Sequence, residues 1–495
     1  MIHSNRLYER PASYRLPETD RHYRRVRSYI EETPIPEYRW ASSAAYEAFR
    51  DLKYGVRLHW GPYSIWRLKH ESWPFLEMPF AERQKYQGLY QTWNPRGFDA
   101  GEWMNLFAES GMKMFAITAK HHDGFSMFDT KTRVHQRVNW TAPGRPQIEA
   151  CDLAYSMMET PFRRDVIKEL CEAAHKREIK VDLYFSHPDW YDADFRPYVR
   201  HPLQTPSAAK LDIVHFPPSE KARKLQIPVP DPTPEETGRM LARHRAQLAE
   251  LLTRYGRIDM LCLDMWLGPT VWPQLRETLL HVRKLQPDVM LRARGIGNYG
   301  DYYTPENFVP GSKEKTDLPW FVIYPLATGF SYDEEAKNYK GAEWIIRNLV
   351  DSVAKGGNFM VAIGPDGDGR FHPAAVAQLK EVGAWLKVNG EGIYATRARE
   401  GSLYAEGETI RYTRTKDQRI VYVFSLGWPG SKLTLKTVRA RAGSEVRMLG
   451  FTIPLAWRND GGKGLVIELP PELQDESKRP CRFAYCFRVE VDNQG

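Results

Sequence analysis

Apolar positions along this chain switch repeatedly between a period of two and a period near 3.6. Tyr54-Gly55-Val56-Arg57-Leu58-His59-Trp60 alternates as a strand does and runs into a Gly-Pro turn. Asp99, with Glu102 three residues on, opens a helix carrying Trp103, Leu106 and Phe107 that Gly111 closes, and Met114 to Ala119 reads as the next strand. Asp165 to Glu178 sets Val166, Ile167, Leu170, Ala173 and Ala174 on one helical face ahead of the strand Ile179 to Phe185. Thr233-Pro234-Glu235-Glu236 joins an N-cap, a first-turn proline and an N3 acid, and predicts a long helix to Tyr255. Gly256 then suits a left-handed cap, Ile258 to Leu263 a short buried strand, and Asp264 falls where that strand opens into its loop. Val289 to Arg292, the helix Ala342 to Ala354 with its Gly356-Gly357 stop, and Phe359 to Ile363 continue the alternation.

Strands alternating with helices predict a parallel sheet covered on both sides. The alternation ends near residue 397, after a helix over Pro373 to Val388 and an Asn389-Gly390 stop. Short alternating stretches such as Ile420 to Phe424 and Gly464 to Leu469, separated by Gly and Pro, then predict a small antiparallel β domain. Residues 1–45 have weak periodicity and many Arg, Tyr, Pro and Glu, so they read as an extension packed on the main domain. Residues 46–396 form that domain, 397–495 the β domain, and Pro217 to Pro234 the most loop-like interior segment.

With 495 residues, the chain is long enough for one large core and a smaller one. Aromatic residues at 13% suit a protein that stacks flat rings on sugars or bases. The net charge of +8 is scattered, with no basic block, zinc-finger spacing or RNA-binding aromatic signature, so we expect no nucleic-acid partner. No run of about 18 apolar residues exists to span a membrane. Five cysteines, with Cys171 and Cys262 in apolar surroundings, imply no disulfide framework. The first residues, Met1 to Arg6, lead into no apolar leader, which predicts a cytoplasmic protein, or a secreted or periplasmic one if a leader has been removed.

Four polar clusters fall at predicted strand ends: His59-Trp60, Lys120-His121-His122-Asp123, Ser186-His187-Pro188-Asp189-Trp190, and Asp264. If the sheet closes into a barrel, those ends converge on one mouth. Adjacent His121 and His122 would point opposite ways from a strand, and no His-Glu-x-x-His or Cys pair is present, so we expect no metal. Neutral imidazoles would bind sugar hydroxyls instead, with Trp60 or Trp73 offering an apolar face. A glycosidase needs a second carboxyl, held protonated while the nucleophile stays ionised. Glu306 is the candidate, in a loop after the strand ending near Arg294, with Asp301 as its local competitor.

These residues resemble the α-L-fucosidases of glycoside hydrolase family 29 over roughly residues 50–400. The resemblance rests on Tyr54 to Gly61, Thr118 to Phe125, Arg163 to Leu170, Lys355 to Asn358 and Ile363 to Pro365. It implies a (β/α)8-like, TIM-type barrel followed by a C-terminal antiparallel β-sandwich. Asp264 would be the nucleophile of a retaining exo-hydrolase of terminal α-L-fucosides, and Glu306, twelve residues after Arg294, the acid/base. His59, His121, His122, Tyr184 and Arg294 would contact substrate, with Trp60, Trp73 and Trp266 around it. No cofactor is required.

The chain also departs from the family. Met265-Trp266 stands where a glycine usually follows the nucleophile, putting bulk beside the pocket. Trp320-Phe321 replaces a Trp-Glu pair, and Glu71 and Trp73 match the family's Glu-Trp-Tyr only loosely. An isosteric sugar such as α-L-galactose, or a sugar-binding homologue without catalysis, therefore stays open beside a fucosylated oligosaccharide or glycoside substrate. Homo-oligomerisation is left open as well.

Overall fold

The computed structural model describes residues 15–17, 19–203, 231–310, 316–462 and 464–492, so most of the loop-like stretch Pro217 to Pro234 and the first fourteen residues lie outside the described residues. The strands are β1 (Tyr54–Leu58), β2 (Met114–Lys120), a hairpin of β3 (Val134–Asn139) and β4 (Gln147–Leu153), then β5 (Lys180–Ser186), β6 (Met260–Asp264), β7 (Met290–Leu291), β8 (Phe321–Pro325) and β9 (Asn358–Ile363). Outside the hairpin they form one sheet in the order β7-β6-β5-β2-β1-β9-β8. Every pairing in it is parallel.

The two edges of that order approach each other through residues 302–306. Parallel bridges join Arg292 to Tyr302, Tyr303 to Trp320 and Glu306 to Ile323. Ala293 N–H donates to Tyr302 C=O (2.9 Å) and Ile323 N–H to Pro305 C=O (3.0 Å). The segment stands where an eighth strand would, and the curled sheet is TIM-like.

The helices are α1 (Arg21–Val26), α2 (Ser43–Asp51), α3 (Phe80–Gly88), α4 (Ala100–Glu109), α5 (Val166–His175), α6 (Pro234–Thr253), α7 (Trp272–Leu285), α8 (Ala342–Ala354) and α9 (Pro373–Asn389). Their starts follow the caps in the sequence: Asp99 and Asp165 accept N3 backbone N–H groups, and Thr233 with Glu236 makes a full capping box. Gly256 takes φ 73° behind α6. The helix expected to reach Glu178 stops at His175, because Glu178 itself adopts φ 55° and Ile179 N–H turns back to Ala174 C=O (3.0 Å).

Helix α2 closes the bottom of the barrel. Its Ala45, Tyr46 and Phe49, with Leu52, share a core with Met114, Met260, Met290, Phe321 and Met360. Higher up, inward positions turn polar: Arg57 of β1 and Asp182 of β5 form a buried ion pair (3.1 Å), and Arg57 lies over the Tyr184 ring. The C-terminal region has a five-stranded antiparallel sheet that includes Ile410–Arg414, Ile420–Ser425 and Tyr485–Glu490, and a three-stranded one of Lys432–Leu435, Trp457–Asp460 and Gly464–Glu468. Ile410, Tyr412 and Val423 from one and Leu433, Leu465 and Ile467 from the other share a single core, which makes a sandwich. All five cysteines are free.

Candidate active site

Asp264 is the last residue of β6 and is 7% exposed at the barrel mouth. The Tyr184 hydroxyl donates to its Oδ2 (2.6 Å), while Arg292 Nη1 (3.2 Å) and Arg294 Nη1 (3.1 Å) reach Oδ1. The other ends of the same two guanidiniums hold Glu306 Oε1, at 3.0 Å from Arg292 Nη2 and 2.8 Å from Arg294 Nη2. Two carboxylates 42 residues apart in the chain are thus bridged twice. Burial alone would raise the pKa of Asp264, but the two arginines, His122 and the Tyr184 hydroxyl outweigh it and hold the carboxyl well below its usual range.

Local backbone geometry sets this arrangement. β7 ends at Leu291, and a turn closed by Ile296 N–H on Ala293 C=O (3.2 Å) brings Arg294 beside Arg292 at the mouth. Gly295 follows at φ 83°, and a Cβ there would lie 2.0 Å from the Met265 carbonyl oxygen. Only a glycine lets the loop after β7 pass so close to the loop after β6. Met265 itself sits at φ 62°, a left-handed conformation at the position where the resemblance leads us to expect glycine.

His59, His121 and His122 line the same mouth. The His121 ring stacks on Tyr184 (5.5 Å, 18°), and His59 meets both (6.0 Å from His121, 6.2 Å from Tyr184). Ser72 Oγ is 2.5 Å from His121 Nδ1, and Ser186 Oγ is 2.7 Å from His122 Nδ1. Because Ser186 gives its own proton to Pro188 C=O (2.8 Å), it accepts from His122 Nδ1–H, which leaves His122 Nε2 with a lone pair, 3.9 Å from Asp264 Oδ2. Burial lowers the pKa of His59 to about 3 and of His122 to about 4, and pushes His121 well down, so all three are neutral near pH 7. The expectation that His121 and His122 must point apart does not hold: β2 ends at Lys120, the pleat no longer governs them, and their rings lie 4.3 Å apart. Among the described residues no three His, Cys, Asp or Glu side chains converge as metal ligands would.

The tryptophans divide. Trp73 packs against His122 (4.8 Å) and Trp190 (5.4 Å), beside the site. Trp60, expected as an apolar face for the sugar, is 1% exposed, packed on Trp93, Phe98 and Trp103, with its Nε1–H on Asp366 C=O. Strand alternation sends it into the core and His59 into the mouth. Trp266 is also buried, and what covers it is His22 of α1, edge-on at 5.6 Å.

Two residues, Arg292 and His22, escaped the sequence reading, and a third, Glu71, entered it only in a loosely matched motif. Arg292 ended the predicted strand Val289 to Arg292 and was given no role. Glu71 lies in a turn at φ 50°, nearly fully buried, where its Oε1 accepts Phe330 N–H (3.1 Å), and Phe330 flanks His59 (5.4 Å). His22 comes from the N-terminal extension, and no periodicity marked it. The expected protonation pattern is overturned too. Burial favours a proton on Glu306, but Arg294 and Arg292 outweigh it and lower the pKa to about 2, so in the free protein this carboxyl is ionised. Glu71, by contrast, is pushed up to about 8 by burial and by the charge of Glu306, and so keeps a proton at neutral pH.

Comparison with known proteins agrees with this geometry. The family profile described as alpha-L-fucosidase matches residues 31–391, and that of the alpha-L-fucosidase C-terminal domain matches residues 406–490. The plasma alpha-L-fucosidase of Homo sapiens is 26% identical over 471 residues, covering 89% of each chain. Alpha-L-fucosidase isoenzyme 1 from Paenibacillus thiaminolyticus superposes with a TM-score of 0.71 at 25% identity, over 91% of this chain and 99% of that one. A GH29 alpha-L-fucosidase from Bacteroides thetaiotaomicron, trapped as a covalent intermediate, superposes with a TM-score of 0.69 at 22% identity, over 93% and 99%. A profile covering most of the barrel, a second covering the sandwich and a mouth lined by paired carboxylates and neutral histidines lead to one assignment: the chain belongs to the α-L-fucosidases of glycoside hydrolase family 29.

Proposed function

We propose that this glycoside hydrolase removes terminal α-L-fucosyl residues with retention, through a glycosyl-enzyme on Asp264. Asp264 attacks the anomeric carbon as Glu306 protonates the glycosidic oxygen and the C–O bond breaks. Water, deprotonated by Glu306, then attacks the same carbon, frees fucose and restores the carboxylate. The observation that carries this reading is the double guanidinium bridge from Asp264 to Glu306. Two carboxylates sharing two arginines fit the short separation of retaining enzymes, about 5–5.5 Å, better than the ~6.5–9.5 Å of inverting ones. The trapped intermediate of the Bacteroides thetaiotaomicron enzyme supports the same route in a protein of this fold.

The neutral His59, His121 and His122 would exchange hydrogen bonds with the sugar hydroxyls, Trp73 would offer its face, and Tyr184 and Arg294 would hold Asp264 in place. A second reading exchanges the donor: Glu71 is the carboxyl that carries a proton at pH 7, and this favours it for the acid step. The substrate is a fucosylated oligosaccharide or glycoside. A relative named for plasma favours a secreted place over the cytoplasmic one expected from the first residues, and no helix of the described residues is long and apolar enough to cross a membrane.

Asp264→Gly tests the nucleophile. Turnover of an aryl α-L-fucoside is expected to vanish and to return in part with azide, as β-L-fucosyl azide; unchanged turnover refutes the assignment. Proton NMR of the first product of the native protein is expected to show the α anomer, and β would mean inversion. Faster cleavage of aryl α-L-galactosides would move the specificity, and fucose binding without turnover of any glycoside would leave a sugar-binding protein.

A further inference from the structure

Helix α1 is clamped onto the rim of the site. Its N-cap Asp20 takes the His22 N–H on Oδ1 (2.9 Å) and the Tyr303 O–H on Oδ2 (3.3 Å). The Tyr23 ring stands edge-on to Tyr303 at 5.1 Å, and Tyr23 and Val26 are fully buried. Tyr303 belongs to the bridge segment that ends in Glu306, so the helix and the proposed proton donor share one support. On its other side His22 packs on Trp266, two residues past Asp264. His22 therefore spans the gap between the nucleophile loop and the Glu306 segment, and unlike its buried neighbour Tyr23 it stays partly open.

We infer that His22 of the N-terminal helix walls the leaving-group side of the pocket and hydrogen-bonds the sugar from which fucose is cut, a role that rests on the fucosidase reading above. The charged groups that act on its ring are Arg294, Asp264, Glu306 and Arg292, the four that make up the paired-carboxylate cluster. Burial, then Arg294, keeps the ring neutral, with a pKa near 3. A neutral imidazole both donates and accepts, which suits a hydroxyl-bearing pyranose more than an aromatic aglycone. Trp266, buried behind it, fixes the ring and is not itself a platform.

The experiment compares kcat/KM of the full chain on an α-L-fucosyl disaccharide and on α-L-fucosyl fluoride, whose leaving group has no ring. In His22→Ala the disaccharide-to-fluoride ratio is expected to fall about tenfold, through KM, as one hydrogen bond to the leaving sugar is lost. His22→Phe, which refills the space against Trp266 without ring nitrogens, is expected to show the same fall. A ratio within about twofold of native in the variants that fold, whether both rates hold or both drop together, overturns the inference. Native protein that cleaves neither substrate would instead overturn the parent reading.

Discussion

Replacing Glu306 and Glu71 by glutamine, one at a time, decides which carboxyl delivers the proton. The structure sets the two in opposite states, with Glu306 lowered to about 2 by Arg294 and Arg292 and Glu71 raised to about 8 by burial. Glu306 has the position, since the guanidiniums that hold it also hold Asp264, but it must gain a proton when sugar enters and loosens those pairs. General-acid catalysis is worth roughly 10²–10⁴-fold and matters most for a poor leaving group. In Glu306→Gln, kcat/KM for a fucosyl disaccharide is expected to drop by that factor and for a nitrophenyl fucoside by much less. Azide is expected to intercept the glycosyl-enzyme and give α-L-fucosyl azide, the opposite anomer to that from Asp264→Gly. Glu71→Gln is expected to weaken binding without this dependence on the leaving group. Glu71 is neutral below about pH 8, so any hydrogen bond its O–H gives to the sugar is lost as pH rises through that value, and the basic limb near pH 8 is expected to disappear in Glu71→Gln. A leaving-group-dependent collapse in Glu71→Gln, with disaccharide cleavage within about tenfold of native in Glu306→Gln, would refute the assignment of Glu306.

Further outcomes follow from single contacts. Tyr184→Phe removes a 2.6 Å charge-assisted hydrogen bond from Asp264, worth about 1.5–3 kcal/mol, so kcat/KM is expected to fall about ten- to hundredfold and the acid limb of its pH profile to move up. Gly295→Ala would force a methyl against the Met265 carbonyl at φ 83°; a loss of at least about 2 kcal/mol in denaturant unfolding is expected, with lower kcat, and a native midpoint would disprove the close approach. Glu71 also makes stability depend on pH. With a folded pKa of about 8 against 4.5 unfolded, its contribution is complete below about pH 4.5 and is lost as pH rises through 8. Glu71→Gln is therefore expected to gain on the native protein between about pH 4 and 9, by an upper bound on the order of 5 kcal/mol, measured by urea unfolding at each pH.

Strand ends were the legible part of the site, because a parallel barrel delivers them to one mouth whatever lies between them. Asp264, His59, His121 and His122 were picked out for that reason, whereas Arg294 came only from the resemblance, by its spacing to Glu306. Trp60 was misread as a face for the sugar, since period-two alternation that turns His59 inward must turn Trp60 outward. Arg292 stood at the end of a predicted strand and could have been weighed as the other strand ends were. Glu71 was visible only as part of a loose motif, because its place depends on a left-handed turn and on Phe330, 259 residues away. His22 had no local signal at all: its contact with Trp266 spans more than half the chain and arises only once α1 lies across the rim.

The protonation states show why composition and pattern stop short of chemistry here. A carboxyl buried beside another carboxyl would ordinarily keep its proton, and that rule led to Glu306 as a protonated acid. Two arginines two residues apart reverse it, because their charges act on both carboxyls at once. Those arginines are affordable in the barrel interior only because partners are built below and beside them: Cys262 Sγ lies 3.3 Å from Arg292, Tyr184 bonds Asp264, and Arg57 is paired with Asp182 one layer down. Removing one charge from this column leaves its partner buried without a counterion, which costs more than the pair contributes. The same column that keeps Asp264 ionised for attack thus constrains Glu306. On the proposed mechanism a proton would reach Glu306 once the ligand takes over part of the guanidinium pairing, which would tie general-acid competence to occupancy of the pocket.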